Sequence, residues 1–325
     1  MQNNYASPFL PACAIGYAIN WLLISFFSYV NGYDVNLLLN MLAHPNQLLL
    51  KVLEDHWKKY LTELKRCRAE FSNEAVHDVR VALRRLLSLI QLLNFIEPRP
   101  RLRKLSSAIK SQLDEFDDLR DTQVMLAEIS ETIHELPELE KFYRHLERVE
   151  KKLLKDLRKK IKNLDLKEVT RRVRKTRGTL NDDAKADFAE PIIRSVDDAF
   201  LVVIQRYEQI DPVRPSTIHR LRVAFKKFRY MIEIAHPLLD DFPPENFKRM
   251  HDYQSLMGEI QDADTFLRTL DDYQVNASSP TPEPIRRFYE SRYADTISAY
   301  LNDKEMLNDF WRLSPDQTFP WEKTE

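Results

Sequence analysis

"VHDVRVALRR", residues 76–85, returns later in the same chain as "IHRLRVAFKKFR", residues 218–229. An offset of 142 superposes His77 on His219, Arg80 on Arg222, Val81 on Val223, Ala82 on Ala224, and the pair Arg84 and Arg85 on Lys226 and Lys227. Neither stretch carries a recognisable nucleophile or the ligand spacing of a metal cage. The likeness continues into the next segment. There an offset of 141 sets "FDDLRDTQVML" (116–126) against "MGEIQDADTFL" (257–267) and places Asp121 on Asp262. Two matching segments in the same order point to internal duplication.

Both stretches have a helical period. At about 100° per residue, His77 and Arg84 fall nearly on one line with Arg80 and Arg85 beside them, while Val79, Ala82, Leu83, Leu86, Ile90 and Leu93 collect opposite. In the second copy His219, Arg222, Lys226 and Tyr230 align, and Leu221, Ala224, Phe225, Phe228 and Ile232 point away. Each helix therefore offers an apolar stripe to a core and a face of histidine plus cations that lacks Asp or Glu. Crowding like charges this way is unfavourable unless an anion or carboxylates from elsewhere meet them. Two roles stay open for these residues. His77 can bond Asp121 and Arg80 can pair with Asp117 or Asp118 as structure, or the face can hold a ligand. The expectation is a mixture, in which Asp121 and Asp262 orient the polar groups and the cations face a ligand.

The rest of the chain fits an all-α protein. Of 325 residues only 4 are glycine, and no long alternating runs of Val, Ile and Thr suggest strands. The 17 prolines fall where helical periodicity breaks. Helices are expected over 48–70, 75–96, 101–134, 138–165, 188–208, 217–236, 245–272 and 284–306, with a short basic helix or linker at 167–177. The length allows two units, read as a first repeat over 46–177, a second over 188–310 and a tail over 311–325. Cys13 and Cys67 are too few and too isolated for a disulfide framework or a zinc site, which favours a reducing, cytoplasmic setting.

Net charge is close to neutral, yet residues 141–177 hold 16 Lys and Arg against 5 Asp and Glu, and residues 237–325 hold 9 against 18. Residues 1–40 form a separate, nearly uncharged segment. Its stretch 9–30 has no charge and is about the ~20 residues needed to span a bilayer. A membrane anchor, a buried apolar helix and a non-native extension ahead of a start at Met41 are the three readings of that segment.

The doubled "VHDVRVALRR" and "IHRLRVAFKKFRYMIE", each followed by a helix bearing Arg-Asp or Gln-Asp, resembles the CHAD family, the conserved-histidine α-helical domain, over residues 46–310. The resemblance implies two pseudo-symmetric four-helix bundles with a central basic groove or pore that binds inorganic polyphosphate. It carries ligand contacts to His77, Arg80, Arg84, Arg85, His219, Arg222, Lys226, Lys227 and Arg229, and allows association with polyphosphate granules or their proteins. It also implies no catalysis here, because the Glu-x-Glu-x-Lys signature of the triphosphatase domain joined to some relatives is missing. One departure is Leu87, where the family commonly has a further arginine.

Physical chemistry supports the same ligand. A polyphosphate chain offers repeated charge and oxygen acceptors without bases, so forked and point cations along a path suit it. Lys104, Lys110, Lys151, Lys152, Lys155, Lys159 and Lys248 are further candidates outside the repeat motif. The histidines, titrating near neutrality, are expected to gain protons when a polyanion binds. No cofactor or metal is expected. Two other classes remain: a binder of nucleic-acid backbones, though aromatic platforms among the cations are sparse, and an all-α, magnesium-dependent pyrophosphate enzyme built on "DDLRD" at 117–121.

Overall fold

The computed structural model describes residues 45–182, 188–277 and 282–322. Among these the protein is all-α, and no residue lies in a strand. The first half comprises α1 (Pro45–Glu70), α2 (Asn73–Ile96), α3 (Pro100–Asp114), α4 (Asp117–Thr132), α5 (Glu140–Lys162) and α6 (Lys167–Asp182). The second comprises α7 (Ala189–Tyr207), α8 (Ser216–Ala235), α9 (Glu245–Ala277) and α10 (Glu283–Asp303), interspersed with short 3₁₀ turns.

Local chemistry places the two motif helices. Between α1 and α2 the backbone reverses at Phe71, whose φ of 52° is a left-handed conformation usually given to glycine. Ser72 then caps α2, its hydroxyl accepting from the Ala75 amide at 3.2 Å. Ahead of α8, Asp211 accepts from Val213 N at 3.0 Å and Arg214 Nε at 2.6 Å, and Thr217 Oγ1 donates to the Arg214 carbonyl at 2.7 Å. Both histidines therefore sit in the opening turns of their helices, directly after a pinned turn.

The apolar stripe foreseen on α2 is buried throughout, from Val79 to Leu93. On α8 Leu221, Phe225, Phe228 and Ile232 are fully enclosed, and Ala224 is partly so. Each such side chain contributes about 1.5–3 kcal/mol relative to exposure. They join one apolar cluster running from Leu49 on α1 to Trp311 beyond α10, so the main core draws on both halves. A second cluster is made by the α4–α5 and α9–α10 hairpins, where Phe266 stacks on Tyr289 at 3.7 Å and Thr132 Oγ1 lies 3.0 Å from Tyr289 Oη. The two halves thus meet twice: α2 packs on α7 and α8, and α4 packs on α9.

Three expectations need correction. The helix expected over 101–134 is broken at Glu115 and Phe116 into α3 and α4. No proline or glycine marks this corner. It is held by Arg80, which donates to the Phe116 carbonyl at 3.0 Å and to Asp117 Oδ1 at 2.7 Å. The basic segment at 167–177 is a full helix, α6, reaching Asp182 and burying Val169, Val173 and Leu180. The stretch after 310 is no loose appendage, since Trp311 is fully buried and donates to Asp197 Oδ1 at 2.8 Å while Arg312 forks onto both Asp197 oxygens. Residues 1–40, including the uncharged stretch 9–30, and Cys13 lie outside the described residues. Among the described residues no helix is long and apolar enough to cross a membrane.

Candidate functional site: a cationic seam between the two repeats

Because α2 and α8 pack together, the polar faces read separately from the two copies meet along one seam. Arg80 and Arg84 come from α2 and Arg222 and Lys226 from α8, and Arg84 lies close enough to act electrostatically on each of the other three. From α4, Arg120 joins them, acting on His77, Arg80 and, across the seam, Asp262. Three carboxylates border these five cations: Asp117, Asp121 and Asp262.

The cations differ in what holds them. Arg80 is buried and fully engaged at the α3–α4 corner, so it is first a structural latch. Arg84, Arg120, Arg222 and Lys226 have neither a hydrogen-bond acceptor nor an ion-pair partner among the described residues. The Arg222 Nε is buried without an acceptor. Its guanidinium lies flat against Gly258 of α9, one of only 4 glycines, where a Cβ would stand 3.5 Å from an Nη atom. A methyl group fits at that distance. Lys226 is pushed down to about 6, first by burial and then by Arg84, Arg222, Arg80 and Arg229.

Arg85 and Arg229 serve a different purpose. Both reach Glu233 of α8, at 3.6 and 3.4 Å, and Arg229 also donates to Gln254 Oε1 at 3.1 Å. Glu233 thereby ties α2 to α8 at the edge of the seam. Lys227 is exposed on the neighbouring face of α8.

The histidines stand at the N-terminal ends of the two motif helices. Burial and nearby arginines, Arg120, Arg80 and Arg84, lower the proton affinity of His77; burial and Arg222 do the same for His219. Among the described residues no hydrogen bond joins His77 to Asp121. The polar neighbour of His219 is Gln261, whose amide nitrogen donates to Thr265 Oγ1 at 3.0 Å and which favours a proton on the ring. Asp121 and Asp262 instead flank the arginines: burial raises both, Arg80 opposes that at Asp121, and Arg222 and Arg120 oppose it at Asp262.

Seven further candidate lysines lie outside the motif. Lys104, Lys151, Lys152, Lys155 and Lys159 are exposed, Lys110 pairs with Asp114 at 2.6 Å, and Lys248 pairs with Asp252. Sequence reasoning missed Arg120, Gly258 and Glu233. Arg120 stands inside the quoted "DDLRD" and aligns with Gln261, so its signal was the repeat itself. Among the described residues no three His, Cys, Asp or Glu side chains are grouped to hold a metal ion.

The CHAD domain family model matches residues 51–271, which includes both motif helices and most of α9. The chain belongs to the CHAD family. A CHAD domain of known structure, the crystal structure from the plant Ricinus communis, superposes with a TM-score of 0.59 at 17% identity, covering 82% of this chain and 89% of that one. At that identity the likeness shows the shared all-α fold. No curated protein matches the chain. The CHAD family assignment and the all-α architecture agree with the resemblance read from the doubled motif.

Proposed function

We propose that this CHAD protein is a binding module for inorganic polyphosphate, with the two repeats, 46–177 and 188–310, forming opposite walls of one basic path. The observation that carries the reading is the seam itself. Four cations from three helices, two of the helices carrying the duplicated motif, converge without ion-pair partners among the described residues. Such an arrangement is destabilising on its own and is compensated when an anion lies along it. Arginines fork onto phosphate oxygens and the lysine adapts as a point charge. Arg84, Arg222 and Lys226 contact the chain in this reading, Arg120 extends the path and His77 and His219 mark its ends. Arg80 contributes charge while holding the corner, and Arg85 and Arg229 keep the walls in register.

The test is a titration of the protein with long-chain polyphosphate at two ionic strengths, with single-stranded RNA and orthophosphate as competitors. Binding should weaken at least tenfold between about 50 and 200 mM salt, by analogy with counterion release from nucleic acids. RNA should displace the chain only at large excess. Affinity that is indifferent to salt, or RNA that competes on equal terms, would contradict the reading.

A further inference from the structure

Among the described residues Lys226 has no ion-pair partner, and the charges that act on it most strongly are all arginines. Arg80 and Arg84 face it from α2, and on its own helix Arg222 precedes it by about one turn and Arg229 follows. No nearby carboxylate makes an ion pair with it among the described residues. Asp117 of α4 accepts from Arg80, Glu233 is shared by Arg85 and Arg229, and Asp121 of α4 and Asp262 of α9 act on Arg80 and Arg222. On α7, which also packs against α8, Asp197 is held by Trp311 and Arg312, Glu190 by Arg194, and Asp198 is exposed.

An amine in this setting behaves unlike its neighbours. A guanidinium keeps its charge in almost any surroundings, whereas an ammonium sheds its proton when burial and like charges oppose it. In the empty seam a neutral Lys226 relieves the repulsion among four arginines. A chain of phosphates laid along the seam reverses the local potential and favours the proton. We propose that a bound polyanion charges Lys226, making it a conditional cation recruited by ligands whose phosphates are closely spaced and left neutral by sparser ones. This deepens, and rests on, the reading of the seam as a polyphosphate site. Successive phosphates of polyphosphate share one bridging oxygen, while those of a nucleic-acid strand are separated by a sugar. An arginine at 226 would be charged for either ligand and would lose that discrimination.

Calorimetric titration of the full chain with long-chain polyphosphate at pH 8.5, in two buffers of different ionisation enthalpy, counts the protons taken up. At that pH ordinary imidazoles, about 6.5, are neutral with or without ligand, and long chains have few titrating ends. More than half a proton should enter per bound site in the wild type, and His77→Gln with His219→Gln should leave that number unchanged. Lys226→Arg should bind without uptake and narrow the preference for polyphosphate over single-stranded RNA by about tenfold, one pKa unit's worth of discrimination. Lys226→Met, which introduces no extra bulk, should also abolish uptake while binding more weakly. Polyphosphate binding with heats independent of buffer, or uptake that survives in Lys226→Met, would overturn the proposal and leave the site standing. Absence of any polyphosphate binding by the wild type would overturn the site reading and this proposal with it.

Discussion

Exchanging Arg84 and Lys226 together for methionine will lower affinity for long-chain polyphosphate by about 100-fold or more, as expected for two charge-assisted contacts of roughly 1.5–3 kcal/mol each. The same double variant will make the empty protein more stable. Neither side chain makes an ion pair among the described residues and both are partly buried: Arg84 keeps its charge among like charges, and Lys226 has to give up its proton to sit beside it. Methionine retains the unbranched stem and removes the charge, and such replacements of buried charge stabilise by about 1–4 kcal/mol. Opposite signs in binding and stability are the signature of residues kept for a ligand against the interest of the fold. Thermal unfolding and titration of the same preparations read both. A double variant that binds as well as wild type, or that loses stability along with affinity, would remove these two side chains from the site.

Arg80→Ala is expected to behave in the opposite way, destabilising the protein by about 2–4 kcal/mol, because it strips a buried carbonyl and a carboxylate of their shared donor. The guanidinium spans the Phe116 carbonyl and Asp117 Oδ1, so it fixes the corner from which α4 sets out. Arg80→Lys should recover little of the loss, since a point donor cannot span both acceptors. Asp117→Ala should lose only about 1 kcal/mol, one hydrogen bond's worth, because the bond to the Phe116 carbonyl survives. Denaturant unfolding of the three variants separates these cases. Equal stability for Arg80→Ala and wild type would mean that the corner holds itself.

That contrast marks where the sequence was legible. The periodicity of "VHDVRVALRR" announced a helix with a buried stripe and a cationic face, and the duplicate said that this face matters twice. Both are visible because helical geometry maps spacing onto sides. The seam's composition was only half visible. Arg80 looks like any other cation of the motif until α4 arrives to show its partners, and the corner it holds contains neither proline nor glycine. Likewise Glu233 closes the quoted second stretch, yet only the packing of α2 against α8 reveals that it ties Arg85 to Arg229. Asp121 and Asp262 are expected from the sequence to orient the polar groups, and only the packing shows that arginines are the charges they lie beside. Sequence spacing fixes which residues share a helix face; which face of another helix they meet depends on tertiary packing.

If the two repeats make one path, long-chain polyphosphate binds with the stoichiometry of one site. Long-chain polyphosphate should be titrated into the wild type, into Arg84→Met and into Lys226→Met at low salt, with the number of sites and the affinity fitted for each. A single class of site is expected in all three, weakened by either substitution. Two independent sites in the wild type, with each substitution abolishing one and sparing the other, would contradict it.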